Sequence, residues 1–228
     1  MKTLKILTLI VMISLTTTAC ALEYEGGVRL LVVTPTGAFG DAVDDEGGGL
    51  EINFGLRPSP TLSFGLGANA MMYGSESRTY SLPLVEDFDL TTDNNLAGCF
   101  FYTQWRPLQG AVQPYVEARA GVAYLWTESQ LEDEDWWDGD EVARKTNYDD
   151  VTTFWGGAGG LLLRLSSGNS EEKKPGVFLD LKVNHVQGGE AEYLTEGDVS
   201  IVDDVPVYDP SRSETDMTTY QLGVVLTF

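Results

Sequence analysis

The chain has 228 residues, with 35 acidic against 14 basic side chains and a formal net charge of −21. So negative a balance excludes the basic face that nucleic-acid binding requires. One histidine and two cysteines leave no cluster of zinc-site spacing, and beyond the N-terminal segment no apolar run approaches the roughly 18 residues of a membrane-spanning helix.

Lys2 and Lys5 make a short basic region, and Ile6 to Leu15 form an apolar stretch too short to cross a bilayer. Thr16 to Thr18 and the small-residue run Ala19-Cys20-Ala21 follow. This layout predicts a secretory signal peptide over residues 1–21, with Leu22 as the mature start. A second reading makes Cys20 the lipidated first residue of a lipoprotein. Thr17 stands where a lipoprotein site prefers leucine, which favours ordinary cleavage. Removal of Cys20 would leave Cys99 alone, with no intramolecular disulfide to form. Residues 22–228 fit one all-β domain.

Period-two alternation recurs along this segment and helical periodicity is nearly absent. Eight strands are expected, at about 27–35, 48–57, 61–75, 94–106, 113–127, 151–165, 176–188 and 215–228. Short connections at Pro58-Ser59-Pro60, Pro107 to Val112 and Ser166 to Pro175 alternate with longer ones at about 36–47, 76–93, 128–150 and 189–213. That rhythm belongs to an up-and-down antiparallel transmembrane barrel with short periplasmic turns and long extracellular loops. An even strand number places both termini on the periplasmic side.

The polarity of the two faces separates a membrane barrel from a soluble one. Leu50, Ile52, Phe54 and Leu56 alternate with Glu51, Asn53, Gly55 and Arg57; Val177, Leu179, Leu181 and Val183 alternate with Asp180, Lys182 and Asn184. The second face mixes glycine with charge, as the crowded inside of an eight-stranded barrel demands. Arg29, Glu51, Glu117, Arg119, Arg164, Asp180 and Lys182 are therefore expected inside, paired, because buried charges need partners. A soluble ligand-binding barrel would have the apolar face inside. Trp105, Tyr124, Trp126, Trp155, Tyr220 and Phe228 fall near strand ends on the apolar face, where membrane barrels carry aromatic girdles.

The C-terminal run TTYQLGVVLTF sets Tyr220, Leu222, Val224, Leu226 and Phe228 on one face. It resembles the last strand of outer-membrane barrels, in which a final aromatic is part of the signal read by the barrel-assembly machinery. RPLQGAVQPYVEARAGVAYLW is similar to the turn and strand of small barrels of the OmpA/OmpX kind. The resemblance spans residues 22–228 and implies a cell outer membrane location, contact with membrane lipid and assembly by that machinery. Peptidoglycan anchoring is not implied, since no periplasmic domain is expected after Phe228.

His185 is the one candidate for chemistry. Outer-membrane lipid A deacylases carry a lipid-facing histidine with serine two residues on; here that residue is Gln187, which is no nucleophile. No catalytic residue, cofactor or metal site is expected. The third loop holds LEDEDWWDGDE, and the fourth carries Glu190, Glu192, Glu196, Asp198, Asp203, Asp204 and Asp209. Such carboxylates suit divalent cations, though no segment has EF-hand spacing. Trp136 and Trp137 are the contact candidates of this loop, for a partner or extracellular ligand or for the lipid head-group zone, with packing of the loop itself as the alternative. Tyr193, Val199, Ile201, Val205 and Val207 suggest extended structure above the membrane or, as the architectural alternative, two more barrel strands. The reading is a monomeric, non-enzymatic barrel with a structural or surface-interaction role. Its rivals are a narrow channel for small polar solutes and a lipid-modifying enzyme.

Overall fold

The computed structural model describes residues 22–43, 46–82, 85–133, 143–168, 174–194, 199–202, 205–208 and 210–228. The signal segment 1–21 lies outside them.

Alternating β-branched, aromatic and small residues favour extended backbone with opposite faces in different surroundings. The strands are β1 (Glu23–Pro35), β2 (Gly47–Ser59), β3 (Leu62–Leu82), β4 (Val85–Trp105), β5 (Val112–Asp133), β6 (Ala143–Ser166), β7 (Gly176–Gly188), β8 (Glu190–Tyr193), β9 (Val199–Val202), β10 (Val205–Tyr208), β11 (Ser211–Glu214) and β12 (Met217–Thr227). A single helix among the described residues, α1 (Gly37–Ala42), follows β1. Eight strands close into a barrel in the order β1-β12-β7-β6-β5-β4-β3-β2, every neighbouring pair antiparallel. The seam is β1 against β12, from Glu25 opposite Thr227 to Pro35 opposite Met217. Tyr24 and Phe228 complete it by exchanging backbone hydrogen bonds of 3.2 and 2.8 Å.

β8 pairs with β11 and β9 with β10 in separate two-stranded ladders. The fourth connection thus continues the β7–β12 hairpin as a raised ribbon, and the ten-stranded alternative is not the architecture. β3 to β6 run 21 to 24 residues, well into segments 76–93 and 128–150, where the sequence predicts loops. Over those segments apolar residues are too few to alternate regularly in the sequence, so the pattern that reveals the strands fades while the ladder continues.

The outside of the barrel wall is apolar. Leu66 is 67% exposed, Leu30 and Trp155 64%, and Phe54 58%; Val116, Leu181 and Leu222 share this surface on β5, β7 and β12. A continuous apolar wall far exceeds what a soluble monomer shows to water. Tyr220 and Phe228 are both exposed and lie eight residues apart along the last strand. With about 3.3 Å per residue and a tilt near 40°, they are separated by about 20 Å along the axis, the height of a lipid-facing band. Tyr124 and Trp126 stack at one edge with centroids 5.4 Å apart, and Tyr24 stacks on Phe54 at 6.1 Å towards the other.

Leu222 sits mid-strand on this wall, so Leu222→Arg should cost about 2–4 kcal/mol of folding stability. Denaturant titration of the protein folded in lipid vesicles reads this directly; an unchanged midpoint would place that face in water.

Candidate functional site

The lumen is where polar chemistry gathers. β1 contributes Glu25 and Arg29, β2 Glu51 and Asn53, β4 Gln104, β5 Glu117 and Arg119, β7 Asp180 and Lys182, and β12 Gln221; Arg106 follows directly after β4. Strict alternation puts all of these on the inward face while their sequence neighbours face lipid.

Glu51, 1% exposed, is the hub. Lys182 Nζ lies 2.7 Å from its Oε1, Arg119 Nη1 2.8 Å from its Oε2, and Arg29 Nη1 3.4 Å from Oε1. Arg29 Nε also donates to Asp180 at 2.7 Å, and Asp180 accepts from the Tyr115 hydroxyl at 2.8 Å. Arg119 binds Glu117 as well, through Nε at 2.9 Å and through Nη2. Gln104 joins Glu117, at 3.3 Å, to Arg106, whose Nε it accepts at 2.6 Å. Arg106 Nη2 reaches both oxygens of Glu25, at 2.9 and 2.7 Å. The network holds four carboxylates (Glu25, Glu51, Glu117, Asp180) and four cations (Arg29, Arg106, Arg119, Lys182), so the buried charge sums to zero. Neutrality is what makes such burial tolerable, because each ion stripped of water must recover its solvation from partners.

Room for these long side chains comes from inward glycines. The Phe100 ring occupies the place a Cβ on Gly67 would take, 2.3 Å from the nearest ring carbon, and its face carries the Arg119 guanidinium at 4.3 Å. A Cβ on Gly223 would lie 2.4 Å from Arg29 Cγ.

Towards the long-loop end the lumen changes character. Leu31, Val33, Met71, Tyr73, Leu96, Leu125, Phe154, Val186 and Met217 form a buried apolar cluster, closed above by Phe39 of α1 and by Tyr193. Phe39 meets Tyr73 and Tyr193 with centroids 5.2 and 5.0 Å apart. The expectation of a polar, charge-paired interior is corrected here: the charges occupy the middle and share the short-turn half with a small apolar cluster of Tyr115, Leu162, Phe178 and Val225, and a larger apolar core fills the long-loop side. At the boundary lies a cavity of about 20 Å³, bordered by Asn69, Arg119, Asn184 and Gln221 on one side and Met71, Leu96 and Phe154 on the other.

Six of the seven expected interior charges, Arg29, Glu51, Glu117, Arg119, Asp180 and Lys182, lie in this one network. Arg164 does not. Its inward position comes so late on β6 that the guanidinium lies exposed at the short-turn rim, 5.5 Å over the Phe178 ring. Glu25, Arg106 and Gln104 belong to the network though sequence reasoning passed over them, and the inward Asn53 and Gln221 join it through hydrogen bonds to Arg29 and Glu51. Glu25 shares the parity of Arg29, and extending the expected first strand by two residues would have found it. Tyr220, Leu222, Val224 and Phe228 are exposed on the outer wall, with Leu226 partly so. His185 is exposed there too, its Nδ1 3.0 Å from Thr218 Oγ1 across the β7–β12 pair. Trp136 and Trp137 lie outside the described residues. Above the belt Tyr148 donates to Glu192, and that hydrogen bond pushes the phenol up to about 12. Among the described residues no group of three or more His, Cys, Asp or Glu side chains is placed to hold a metal ion.

An apolar outer wall, a charge-filled lumen and a sheet without edges make the chain an integral outer-membrane β-barrel. No protein-family model matches it, and no curated protein does. Among solved structures it is similar to Neisserial surface protein A (13% identity over 93% of this chain and 100% of that one, TM-score 0.44). It is also similar to a major outer membrane protein from Thermus thermophilus (14%, 92% and 100%, TM-score 0.37) and to the N-terminal β-barrel domain of Pseudomonas aeruginosa OprF (11%, 90% and 97%, TM-score 0.34). At such identities these are likenesses of architecture, and the membrane assignment rests on the chain's own polarity.

Removing one member of the hub leaves its partners buried without charge balance. Glu51→Gln and Lys182→Met should each cost about 3–5 kcal/mol. The double variant should cost at least about 1 kcal/mol less than their sum. Additive losses in a vesicle-based denaturation cycle would show the two groups to be energetically independent.

Proposed function

We propose that this barrel is a non-enzymatic surface component of the outer membrane, presenting a strongly acidic platform to cationic partners outside the cell. One observation carries the reading. The segments that connect strands at the end opposite the termini, 36–47, 76–93, 128–150 and 189–216, hold 28 of the 35 acidic residues and 4 of the 14 basic ones. The lumen is neutral and the short-turn end nearly so, with Arg57, Arg164, Lys173 and Lys174 against Glu23, Glu171 and Glu172, so the chain's negative charge is concentrated at one pole. With the termini periplasmic, that pole faces outward. A field of this size steers oppositely charged partners, divalent cations included, and falls off over a Debye length of about 10 Å at 0.1 M salt.

Residues 1–21 serve as the export signal in this reading. Tyr220, Leu222, Val224, Leu226 and Phe228 form the strand recognised by the assembly machinery, and the same residues then face lipid in a monomer. Trp136 and Trp137, within the most acidic segment, are proposed as the contact pair. A channel for small polar solutes has against it the ion-paired groups crossing the lumen and the apolar core above them. A lipid-modifying role has against it Gln187 in place of a nucleophile beside His185.

Vesicles of neutral lipid carrying the folded protein should bind fluorescent polylysine, and raising salt from about 0.05 to about 0.5 M should release it. Changing the acids of 132–141 to their amides should weaken binding severalfold. Binding no greater than to bare vesicles, or indifferent to salt, would contradict the proposal.

A further inference from the structure

The cavity at the boundary of charge network and apolar core has an unusual inventory of acceptors. Asn69 Oδ1, Asn184 Oδ1 and Gln221 Oε1 are buried with no protein partner, and all three residues line that one cavity. Asn184 and Gln221 are 3% and 5% exposed. The orientation of Gln221 follows from what its nitrogen does. Gln221 Nε2 donates to Glu51 Oε2 at 3.3 Å and to Thr219 Oγ1 at 2.9 Å. Turning the amide over would set its carbonyl against a carboxylate, so the oxygen stays on the other side. Asn184 Nδ2 donates to the same Thr219 oxygen at 3.3 Å. Thr219, accepting from two amides, keeps its own proton to give.

Buried acceptors without donors are rare in folded proteins, and polar cavities of sufficient size are filled by water. The volume of about 20 Å³ suffices for one to two water molecules, at roughly 10–15 Å³ each by this measure. Proton counting selects two. One water has two protons for three oxygens, whereas two waters have four, three for the amides and one shared between the waters. A metal cation is disfavoured because the Arg119 guanidinium borders the same space.

We infer that the lumen contains a built hydration site, in which two water molecules donate to Asn69, Asn184 and Gln221. The three residues stand on β3, β7 and β12, and β3 and β7 are four places apart in the ring of eight. The waters therefore brace opposite walls of the barrel and extend the charge network to the edge of the apolar core. The inference stands on the lumen alone and does not depend on the acidic-platform reading.

The test is water-to-side-chain cross-relaxation by NMR on the isotope-labelled, folded protein in micelles. Cross-peaks of the sign given by long-lived bound water are expected at the side-chain amides of Asn69, Asn184 and Gln221. In Asn69→Leu, which removes one acceptor and no charge, those at Asn184 and Gln221 should weaken without vanishing. Absence of all three cross-peaks in the unaltered protein would overturn the proposal. Unchanged intensity in Asn69→Leu would overturn it as well, by assigning the signal to water unconnected with that residue. Displacement of the cross-peaks when rubidium replaces sodium would overturn it in favour of a cation.

Discussion

A strand placed in hydrocarbon leaves no peptide group free to bond with water, so the sheet must find a partner for its last edge. Here that requirement is met where β1 meets β12, and most other features follow from it. The first and last strands must run antiparallel, which fixes an even number. Closing eight strands makes a tube so narrow that its inside has to be packed with side chains. The outer wall then takes the apolar half of every strand. Tyr24 and Phe228 close the seam through their own backbone groups, so the register of the barrel is set by residues at its two ends.

The inside meets the same constraint in two ways. Through the middle and the short-turn half, eight ionised groups cancel one another, arranged about Glu51 with glycines giving them space. On the long-loop side the lumen is filled as a soluble protein is, by leucine, methionine and aromatic rings beneath a one-and-a-half-turn helix. A charged network gives directionality and an apolar core gives close packing, and together they occupy the lumen. The extramembrane strands rise from this side-chain-filled base, which is consistent with the proposed surface role.

Much of this was legible in the sequence, because lipid and lumen impose opposite demands on successive residues. The run Leu50-Glu51-Ile52-Asn53-Phe54 announces both faces of β2 at once, and Asp180 and Lys182 do the same for β7. What escaped reading had lost that contrast. In Val28-Arg29-Leu30-Leu31-Val32-Val33 the inward positions turn from arginine to leucine and valine, so both faces become greasy and the inner core hides within the outer one. The upper parts of β3 to β6 fail in the opposite sense, their sequences having too few apolar residues to alternate. Arg164 has the inward parity of the network residues, but parity does not report height, and height puts it at the rim. α1 is too short for helical periodicity to register, and the packing of Phe39 onto Tyr73 and Tyr193 supplies the order that local preference does not.

Inside-out polarity is the central claim, and a native residue reports on it. Cys99 is exposed on the outer wall between Ala68 and Val122 of the neighbouring strands. A spin label attached there, in protein beginning at Leu22 and folded into lipid vesicles, distinguishes the two environments by collision with paramagnetic reagents. High accessibility to oxygen, which concentrates in hydrocarbon, with low accessibility to a water-soluble nickel chelate is the result this account predicts. Ready collision with the nickel chelate would put Cys99 in water and contradict it.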